Sequence, residues 1–272
     1  MADLPIPFSP PMIAALLDGR KTQTRRILKA VVPPAPVANC HPRHTQKHPV
    51  PYLDAYCSET KTSANPRGMS RNWCWWQVDD RQCLPTFRVP YVPGDRLWVR
   101  EAYYQIGHWE VADTTNAQGR LKWRFVADDP TIVFVTPHSY RKGRHSKDPE
   151  TSVWHKRLGR FMPRSASRLT LIIELIRVEQ VQQISEADAL AEGCFRGKAT
   201  GRIFESSGSM RLGCFEWANA RDWYADLWES LHGEDAWTAN PWVAAVSFRL
   251  VKSNIDALDH ASASLVEDAF NG

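Results

Sequence analysis

The most informative segment of the chain is Gly19-Arg20-Lys21-Thr22-Gln23-Thr24-Arg25-Arg26, which places four cations within eight residues. It follows a short apolar run at residues 12–17, which is itself preceded by a serine and two prolines at residues 9–11. A capping serine, prolines in the first turn and a glycine after the last turn are typical of a helix. Residues 21–28 then carry Thr, Arg and Ile in an extended pattern. The sequence therefore predicts a short helix that stops at Gly19 and leads into a basic strand.

Turn signals and apolar periodicity predict further elements on the C-terminal side of this segment. The predicted strands occupy residues 96–104, 168–178 and 242–251, and a hairpin is predicted from residues 123–127 and 131–135 around Asp128-Asp129-Pro130. One predicted helix begins at Ser185 and closes at residues 191–193, and a second occupies residues 216–232. We expect a mixed α+β fold, built as a small β-barrel with flanking helices.

Two long irregular insertions are predicted to interrupt this fold, at about residues 33–90 and 105–160. The first is rich in proline and holds four of the six cysteines, and long segments without apolar periodicity are typical of irregular structure. A shorter Gly/Ser-rich insertion follows at about residues 195–215. Residues 252–272 are acidic and rich in Ala and Ser, which predicts a flexible tail. We therefore expect a single domain over residues 1–251, followed by that tail.

The composition of the 272-residue chain excludes several classes of protein. A hydrophobic fraction of 43% is too high for a disordered protein. No apolar run approaches the roughly 20 residues that a membrane helix requires, and the N-terminus lacks the pattern of a signal peptide. Six cysteines are too few for a disulfide scaffold of this length. We expect a cytoplasmic, monomeric protein that makes no contact with membranes.

The net charge of +4 conceals one strongly basic segment. Residues 138–168 hold nine Lys and Arg side chains against Asp148 and Glu150, which gives the segment a net charge of +7. Tyr140 and Trp154 lie among these cations, and aromatic rings interleaved with cations suit single-stranded or flipped bases. A solvated basic loop is the alternative interpretation, because most charge runs are solvated faces. We expect this segment to contact nucleic acid.

Residues 19–26 resemble the Gly-x-Lys-x-x-x-x-Arg signature of the ASCH domain, a branch of the PUA-like β-barrel superfamily. Three further blocks occur in the order in which that family has them: Pro93-Gly94-Asp95-Arg96-Leu97-Trp98-Val99-Arg100-Glu101, residues 184–193 and residues 241–250. These blocks are similar to those of phage and prophage ASCH proteins in particular, and a phage-encoded protein would lie in the host cytoplasm. The resemblance covers most of the chain outside residues 33–90 and 105–160, and it implies a PUA-like barrel.

The same resemblance implies a function. PUA-like domains bind RNA or modified bases, and small bacterial ASCH proteins are amidohydrolases that remove the acetyl group from N4-acetylcytidine. Their functional Lys, Thr and Glu correspond in this chain to Lys21, Thr24 and Glu192, and the signature Arg corresponds to Arg26. The expected protein recognises a nucleobase in RNA, DNA or a free nucleoside and hydrolyses an N4-acyl amide.

These residue types are chemically adequate for amide hydrolysis, which needs a nucleophile, a base and an acid for the leaving amine. A lysine whose pKa is lowered by burial and by neighbouring cations could activate Thr24, while Glu192 carries a proton to the leaving nitrogen. From residue types alone, a second interpretation stays open, in which Lys21 and Arg26 bind phosphate and Thr24 pairs in a strand. A non-catalytic module that reads RNA or DNA is the competing function, and a ribonuclease is a third.

A further set of residues provides candidate substrate contacts. The set consists of Arg26, Arg25, Trp98, Glu101, Arg164 and Ser165. The last two precede the predicted central strand and could present a cation and a hydroxyl group to a phosphate or a base. For Glu101 the alternative is a salt bridge with Arg100 or Arg25, and for Trp98 it is packing in the core.

A Cys/His cluster in the first insertion is compatible with a zinc site. Its members are Cys40, His41, His44, Cys57, Cys74 and Cys83. There is no Cys-x-x-Cys pair, and the last three cysteines are widely spaced, so the sequence favours chance clustering. We therefore expect no cofactor.

The chain also has twelve tryptophans, more than its ten phenylalanines. Five of them fall on the periodic faces of predicted core elements, where packing explains them: Trp98, Trp217, Trp223, Trp228 and Trp242. Those that the barrel core does not require are Trp73, Trp75, Trp76 and Trp154. These four are candidates for stacking on bases or for anchoring the insertions.

Overall fold

The computed structural model describes residues 2–29, 31, 52–76, 86–213 and 216–258. Within these ranges there are thirteen strands: β1 (Asp3–Pro7), β2 (Gln23–Ile27), β3 (Tyr52–Ala55), β4 (Asn72–Trp76), β5 (Phe87–Arg88), β6 (Arg96–Arg100), β7 (Tyr103–Thr115), β8 (Leu121–Val133), β9 (Val153–Arg157), β10 (Thr170–Gln180), β11 (Phe195–Arg196), β12 (Ile203–Phe204) and β13 (Trp242–Val251). The α-helices of the same ranges are α1 (Pro10–Leu17), α2 (Glu186–Ala191), α3 (Ser207–Arg211) and α4 (Ala220–His232). The expected mixed α+β class is confirmed.

The largest sheet has five strands in the order β1-β6-β10-β13-β2. Its edge strand β2 pairs antiparallel with β13, so that Gln23 faces Ser247 and Arg25 faces Ala245. Closure into a barrel would require a further pairing between the edge strands β1 and β2. No such pairing exists among the described strands, so they form an open sheet and the expected small β-barrel is not formed by them.

The chain divides into two compact units, each built from separate stretches of sequence. Of the described residues, the first unit contains those within 2–4, 14–97 and 171–251, and the second contains those within 5–13, 98–170 and 252–258. The boundaries fall inside α1, β1, β6 and β10 rather than at the predicted insertions. The expectation of one domain over residues 1–251 stays a prediction.

The core of the first unit forms where α2 and α4 pack together. Buried Trp223, Tyr224 and Trp228 on one face of α4 contact the apolar side chains of α2 and β13. The Asn219 side chain caps α4 by accepting from the Asp222 N–H at 2.8 Å, so this helix begins at Ala220 and not at the predicted residue 216. The predicted helix after Ser185 and the predicted strand at residues 242–251 are both confirmed.

The predicted insertion at residues 33–90 contains regular structure. Strands β3, β4 and β5 form a three-stranded antiparallel sheet, which corrects the expectation of an irregular segment in this part of the insertion. Aromatic rings explain the sheet, because Trp73 and Trp75 of β4 are buried and Trp75 packs edge-on against Trp242 at a centroid distance of 5.6 Å. Residues 32–51 and 77–85 lie outside the described part of the chain.

The predicted insertion at residues 105–160 is also regular, since β8, β7 and β9 form an antiparallel sheet in that order. The hairpin predicted around Asp128-Asp129-Pro130 is wrong, because residues 123–127 and 131–133 both belong to β8. The β7–β8 hairpin instead turns at Asn116, whose side chain accepts from the backbone N–H of Gln118 and of Arg120. Pro130 is tolerated because β8 is an edge strand, with a register shift opposite Gln105 and Gly107.

Two more sequence expectations are corrected nearer the C-terminus. Residues 195–215 were expected to form a loop, but they contain β11, β12 and α3. The flexible tail was expected to begin at residue 252, yet Ile255 is fully buried and the Asn254 side chain donates to the carbonyl groups of Arg164 and Ser167 at 3.0 and 2.8 Å. Residues 259–272 lie outside the described residues.

Across the described ranges of the chain, none of the helices combines the length and the apolarity that crossing a membrane would take.

Candidate functional site

Lys21 and Glu192 form a buried ion pair in the first unit. Lys21 lies two residues before β2, and its Nζ atom donates to Glu192 Oε2 at 2.6 Å and to the Glu192 backbone carbonyl at 2.9 Å. The Lys21 side chain is fully buried, and 3% of the Glu192 side chain is exposed. Two residues that are 171 positions apart in the sequence therefore meet away from solvent, as the predicted pairing of their roles requires.

The second carboxylate oxygen of Glu192 is held by Arg25. The Arg25 Nη1 atom lies 3.2 Å from Glu192 Oε1, and it also donates to Gln23 Oε1 at 2.6 Å. Through Nη2 the same guanidinium donates to Glu179 Oε1, at the end of β10, at 2.7 Å. The Glu192 carboxylate is thus fixed from two sides by two different cations, and the orientation of both of its oxygen atoms is set.

Asp188 extends these contacts into a closed network. It accepts from Gln23 Nε2 at 3.1 Å and from Arg177 Nη2 at 2.7 Å. Asp188 and Glu192 are four residues apart, at positions that share one face of a helix, so they point at the same strand. The network contains three cations and three carboxylates: Lys21, Arg25, Arg177, Glu179, Asp188 and Glu192. Its formal charge is therefore balanced.

Burial sets the proton affinity of the groups in this site. Burial lowers the pKa of the Lys21 ammonium, Glu192 acts in the opposite direction, and the charges of Arg26 and Arg25 lower the pKa further. Tyr224 from α4 lies beside the network, with its ring centroid 5.7 Å from the Arg25 guanidinium carbon. Burial, followed by the Glu192 charge, keeps the pKa of Tyr224 well above its ordinary value. The site thus holds a protonated phenol and a lysine that releases its proton more readily than usual.

The local backbone explains why Lys21 and Glu192 can approach so closely. Gly193, directly after Glu192, has a φ angle of +113°. A Cβ atom at this position would lie 2.9 Å from the Ala15 Cβ and 3.0 Å from the Lys21 Cβ. The Thr22 N–H donates to the Ala191 carbonyl at 2.9 Å, which ties the start of β2 to the end of α2. Glycine at residue 193 is therefore a condition for the contact.

The third predicted catalytic residue, Thr24, lies on β2, three residues after Lys21. It is buried on β2 between Gln23 and Arg25, and its register partner is Val246. Successive side chains of a strand point to opposite faces. Because Arg25 reaches Glu192 from one face of β2, Thr24 lies on the other face, together with Arg26. The half-buried Arg26 is close enough for its charge to lower the pKa of Lys21.

The other predicted substrate contacts, Trp98, Glu101, Arg164 and Ser165, lie in the second unit. Glu101 forms a two-point ion pair with Arg168, with both N···O distances at 2.9 Å. The salt-bridge interpretation of Glu101 is thus correct in kind, but its partner is neither Arg100 nor Arg25. Trp98 is buried, and the guanidinium carbon of Arg100 lies 4.4 Å from its ring centroid.

Arg164 and Ser165 belong to a short 3₁₀ helix of the second unit, Arg164–Ala166. The Arg164 side chain pairs with Asp256 at 2.6 Å. Ser165 is exposed, and its backbone carbonyl accepts from the Asn254 side chain at 3.1 Å. Both residues therefore help to fix the segment after β13.

Sequence reasoning missed four members of the network: Gln23, Arg177, Glu179 and Asp188. A signal for two of them was available. The alternation of β2 places Gln23 on the Arg25 face, and the four-residue helical spacing places Asp188 with Glu192. The contributions from β10 could not be found in this way, because they depend on which strands become neighbours.

The predicted zinc cluster can be assessed only in part. Cys40, His41, His44 and Cys83 lie outside the described residues. Of the remaining two, Cys57 is exposed and Cys74 is buried on β4. Within the ranges that the structure describes, no three His, Cys, Asp or Glu side chains are grouped so that they could hold a metal ion. The expectation of no cofactor stays a prediction.

The four tryptophans assigned to insertions are placed differently from one another. Trp73 and Trp75 are buried. Trp76 packs edge-on against Tyr56 at 5.0 Å, and its indole N–H donates to the Asp54 carbonyl at 3.0 Å. Anchoring, rather than stacking on bases, accounts for these three, while Trp154 is half-buried on β9.

A proton can pass between Lys21 Nζ and Glu192 Oε2 across their short hydrogen bond, while Arg25 holds the carboxylate in place. A lysine with a lowered pKa that is held against a carboxylate is typical of acid–base sites. Comparisons with protein-family models, with curated proteins and with solved structures find no match for this chain.

Proposed function

We propose that this chain is an ASCH-type protein related to the PUA-like superfamily. It hydrolyses the N4-acyl amide of a modified cytosine at the Lys21–Glu192 pair. The observation that carries the proposal is the buried 2.6 Å contact between Lys21 Nζ and Glu192 Oε2. The resemblance of residues 19–26 to the ASCH signature supports the choice of substrate. The blocks that carry the resemblance fall on β2, β6, α2 and β13, in that order along the chain.

Stability alone gives a poor account of this ion pair. The desolvation of two buried charges offsets most of their mutual attraction, so such a pair adds little net free energy of unfolding. A pair of apolar side chains of similar volume would fill the same space at lower cost. The network around Lys21 instead provides a group that gives up a proton, a group that accepts one, and an arginine that orients the second group. This arrangement supports acid–base chemistry.

The hydrolysis follows from these roles with atoms and protons in balance. Glu192 takes a proton from a water molecule, and the resulting hydroxide attacks the acyl carbonyl carbon. As the bond between that carbon and N4 breaks, the Lys21 ammonium gives a proton to the leaving nitrogen. The products are a carboxylic acid and the free amino group of cytosine. The Lys21 amine then recovers its proton from the Glu192 carboxyl group across their hydrogen bond, which restores the starting state.

The test is incubation of the purified chain with N4-acetylcytidine and measurement of released cytidine by chromatography. We expect turnover in the native chain, and we expect Lys21→Met and Glu192→Gln each to lower the rate by at least about 100-fold, since each removes an acid–base group. Lys198→Met is the matched control, because it removes one exposed lysine of the same unit and should leave the rate unchanged.

Thr24 separates this proposal from the trio implied by the resemblance. Because Thr24 lies on the other face of β2, we expect Thr24→Val to retain turnover within a few-fold of the native rate. A loss as large as that of Lys21→Met would instead make Thr24 the nucleophile. Absence of any cytidine release by the native chain, or equal rates in Lys21→Met and Lys198→Met, would contradict the proposed hydrolysis altogether.

A further inference from the structure

One face of the β8-β7-β9 sheet in the second unit carries a row of aromatic rings. Trp109 on β7 faces Phe125 on β8, and Trp123 follows two positions along β8 on the same side. The Trp109 and Phe125 rings meet edge-on at a centroid distance of 5.7 Å. Phe161, shortly after β9, adds a fourth ring, of which 52% is exposed. A sheet face with this many rings is a potential stacking platform.

Three arginines lie over these rings. The guanidinium carbon of Arg157 is 4.0 Å from the Phe125 centroid, and it also lies 5.1 Å from the Phe161 centroid. Arg160 lies 4.8 Å from the same Phe161 ring. Elsewhere on the face, Arg144 lies 4.3 Å from the Trp123 ring. The aromatic–arginine face is defined by these residues: Trp109, Trp123, Phe125, Phe161, Arg144, Arg157 and Arg160.

The cations of this face differ from their neighbours in lacking an acidic partner. Among the residues that the structure describes, no carboxylate lies within ion-pair distance of Arg144, Arg157 or Arg160. On the opposite face of the same sheet, Arg124 pairs with Glu110 at 3.0 Å. The charge of Arg124 is thus neutralised by Glu110, whereas Arg144, Arg157 and Arg160 keep their charge available to a ligand.

The segment that contains this sheet also has a positive net charge. Residues 98–170 hold thirteen Lys and Arg against seven Asp and Glu, a net charge of +6. Exposed Lys142 and Lys147 flank Arg144 in the loop that precedes β9. A partner that fits this face must be anionic along its length and must offer flat rings that can stack beside Phe161 and Trp123.

We propose that the aromatic–arginine face binds single-stranded nucleic acid. The arginines neutralise phosphates and release their counterions, while unpaired bases stack on the exposed rings and guanidinium planes. A duplex offers the same phosphates, but the faces of its bases are stacked inside the helix. It can therefore contact the arginines but cannot stack its bases on the aromatic rings. This binding site is independent of any reaction at Lys21.

The test is fluorescence anisotropy of the full chain with a labelled 12-nucleotide single strand, as RNA and as DNA, at several salt concentrations. We expect binding that weakens as salt rises. The double variant Arg144→Gln/Arg160→Gln should lower the affinity by about tenfold or more, and it should reduce the salt slope by roughly 1.4, since each phosphate contact contributes about 0.7 for single strands. Phe161→Ala should weaken binding by about tenfold through lost stacking.

Arg124→Gln is the matched control, because it removes the same charge from the opposite face of the same sheet. We expect it to change the affinity by less than about twofold. The RNA and DNA arms identify which strand is preferred, and binding of either supports the proposal.

Several outcomes would overturn it. These are no binding near 50 mM salt, an equal loss in Arg124→Gln and Arg144→Gln, or a duplex bound as tightly as a single strand. Binding of the native chain to phosphatidylserine vesicles, with no binding to either oligonucleotide, would assign the face to a membrane surface instead. Because this assay measures no hydrolysis, its failure is distinguishable from failure of the N4-acetylcytidine assay.

Discussion

The buried network around Lys21 and the aromatic–arginine face of the second unit treat positive charge in opposite ways. Lys21 and Arg25 have fully buried side chains, and each contacts a carboxylate. Arg144 and Arg160 are exposed, and each lies over an aromatic ring. A buried cation must be paired because its desolvation is costly. An exposed cation remains hydrated, so it can stay available to an anionic ligand. The buried cations thus have their carboxylate partners within the folded chain, whereas the exposed cations can take an anionic ligand as their partner.

Removing the Glu192 side chain should destabilise the buried network more than any other change considered. Glu192→Ala leaves Lys21 without its carboxylate and removes one partner of Arg25, inside the protein. We expect a loss of about 3–5 kcal/mol in the free energy of unfolding, measured by urea denaturation, because an uncompensated buried charge remains. The double variant Lys21→Met/Glu192→Leu should be clearly more stable than Glu192→Ala, since it removes both charges.

Arg144→Ala serves as the control for this prediction. It should lower the free energy of unfolding by at most about 1 kcal/mol, because an exposed contact between an arginine and a ring contributes little. If Arg144→Ala destabilised the chain as much as Glu192→Ala, or if the double variant were no more stable than Glu192→Ala, the contrast between the two regions would fail.

Crowding at Gly193 gives a smaller effect on the same network. Gly193→Ala places a Cβ atom against Ala15 and Lys21 and also forces a side chain into a positive φ angle. We expect a loss of about 1–3 kcal/mol in the free energy of unfolding, together with slower N4-acetylcytidine hydrolysis, because the Lys21–Glu192 contact must shift.

Gly201→Ala separates the two causes of that loss. Gly201 has a φ angle of +69°, and a Cβ atom there would meet nothing within 4 Å. It should therefore show the cost of the backbone angle alone, about 1 kcal/mol, with unchanged hydrolysis. Equal effects of the two substitutions on both measurements would argue against close packing at Gly193.

Much of the element order could be predicted from the sequence, because helices and single strands are encoded locally. The prolines and Gly19 predicted α1, Ser185 predicted the start of α2, and Asn240-Pro241 preceded the predicted strand β13. The Asp128-Asp129-Pro130 sequence was misleading, since a turn signal also fits a distorted edge strand. A proline is tolerated within a strand at the edge of a sheet, and the sequence alone does not say which strand lies at an edge. The sequence could therefore not distinguish a hairpin turn at residues 128–130 from a continuous edge strand.

The candidate site shows the same division between local and distant information. The resemblance at residues 19–26 led to the pairing of Lys21 with Glu192, which the structure places 2.6 Å apart. Neighbouring side chains of a strand point to opposite faces, so the predicted strand at residues 21–28 already implies that Thr24 and Arg25 lie on different faces. Glu179 and Arg177 joined the network through the position of β10 in the sheet, which no short motif encodes.

The two faces of the β8-β7-β9 sheet should also differ in how their histidines titrate, which is the smallest effect expected here. Hydrogen bonds to Glu110 and then to Asp128 raise the pKa of His108, on the face opposite the aromatic rings. Burial, followed by the charges of Arg141 and Arg157, lowers the pKa of His155, on the aromatic–arginine face. NMR titration of the imidazole signals should therefore show His108 losing its proton above, and His155 below, the ordinary value near 6.5.

The signs of the two stability contributions are opposite. The His108 contribution is fully present below pH 6.5 and is lost as the pH rises through the raised pKa of the folded state. The His155 contribution is present above pH 6.5 and is lost as the pH falls through the lowered pKa of the folded state. His155→Gln should therefore flatten the decline of the urea midpoint below pH 6.5, and His108→Gln should flatten the decline above it. Identical titration midpoints for the two histidines would contradict the burial of His155 and the carboxylate hydrogen bonds of His108.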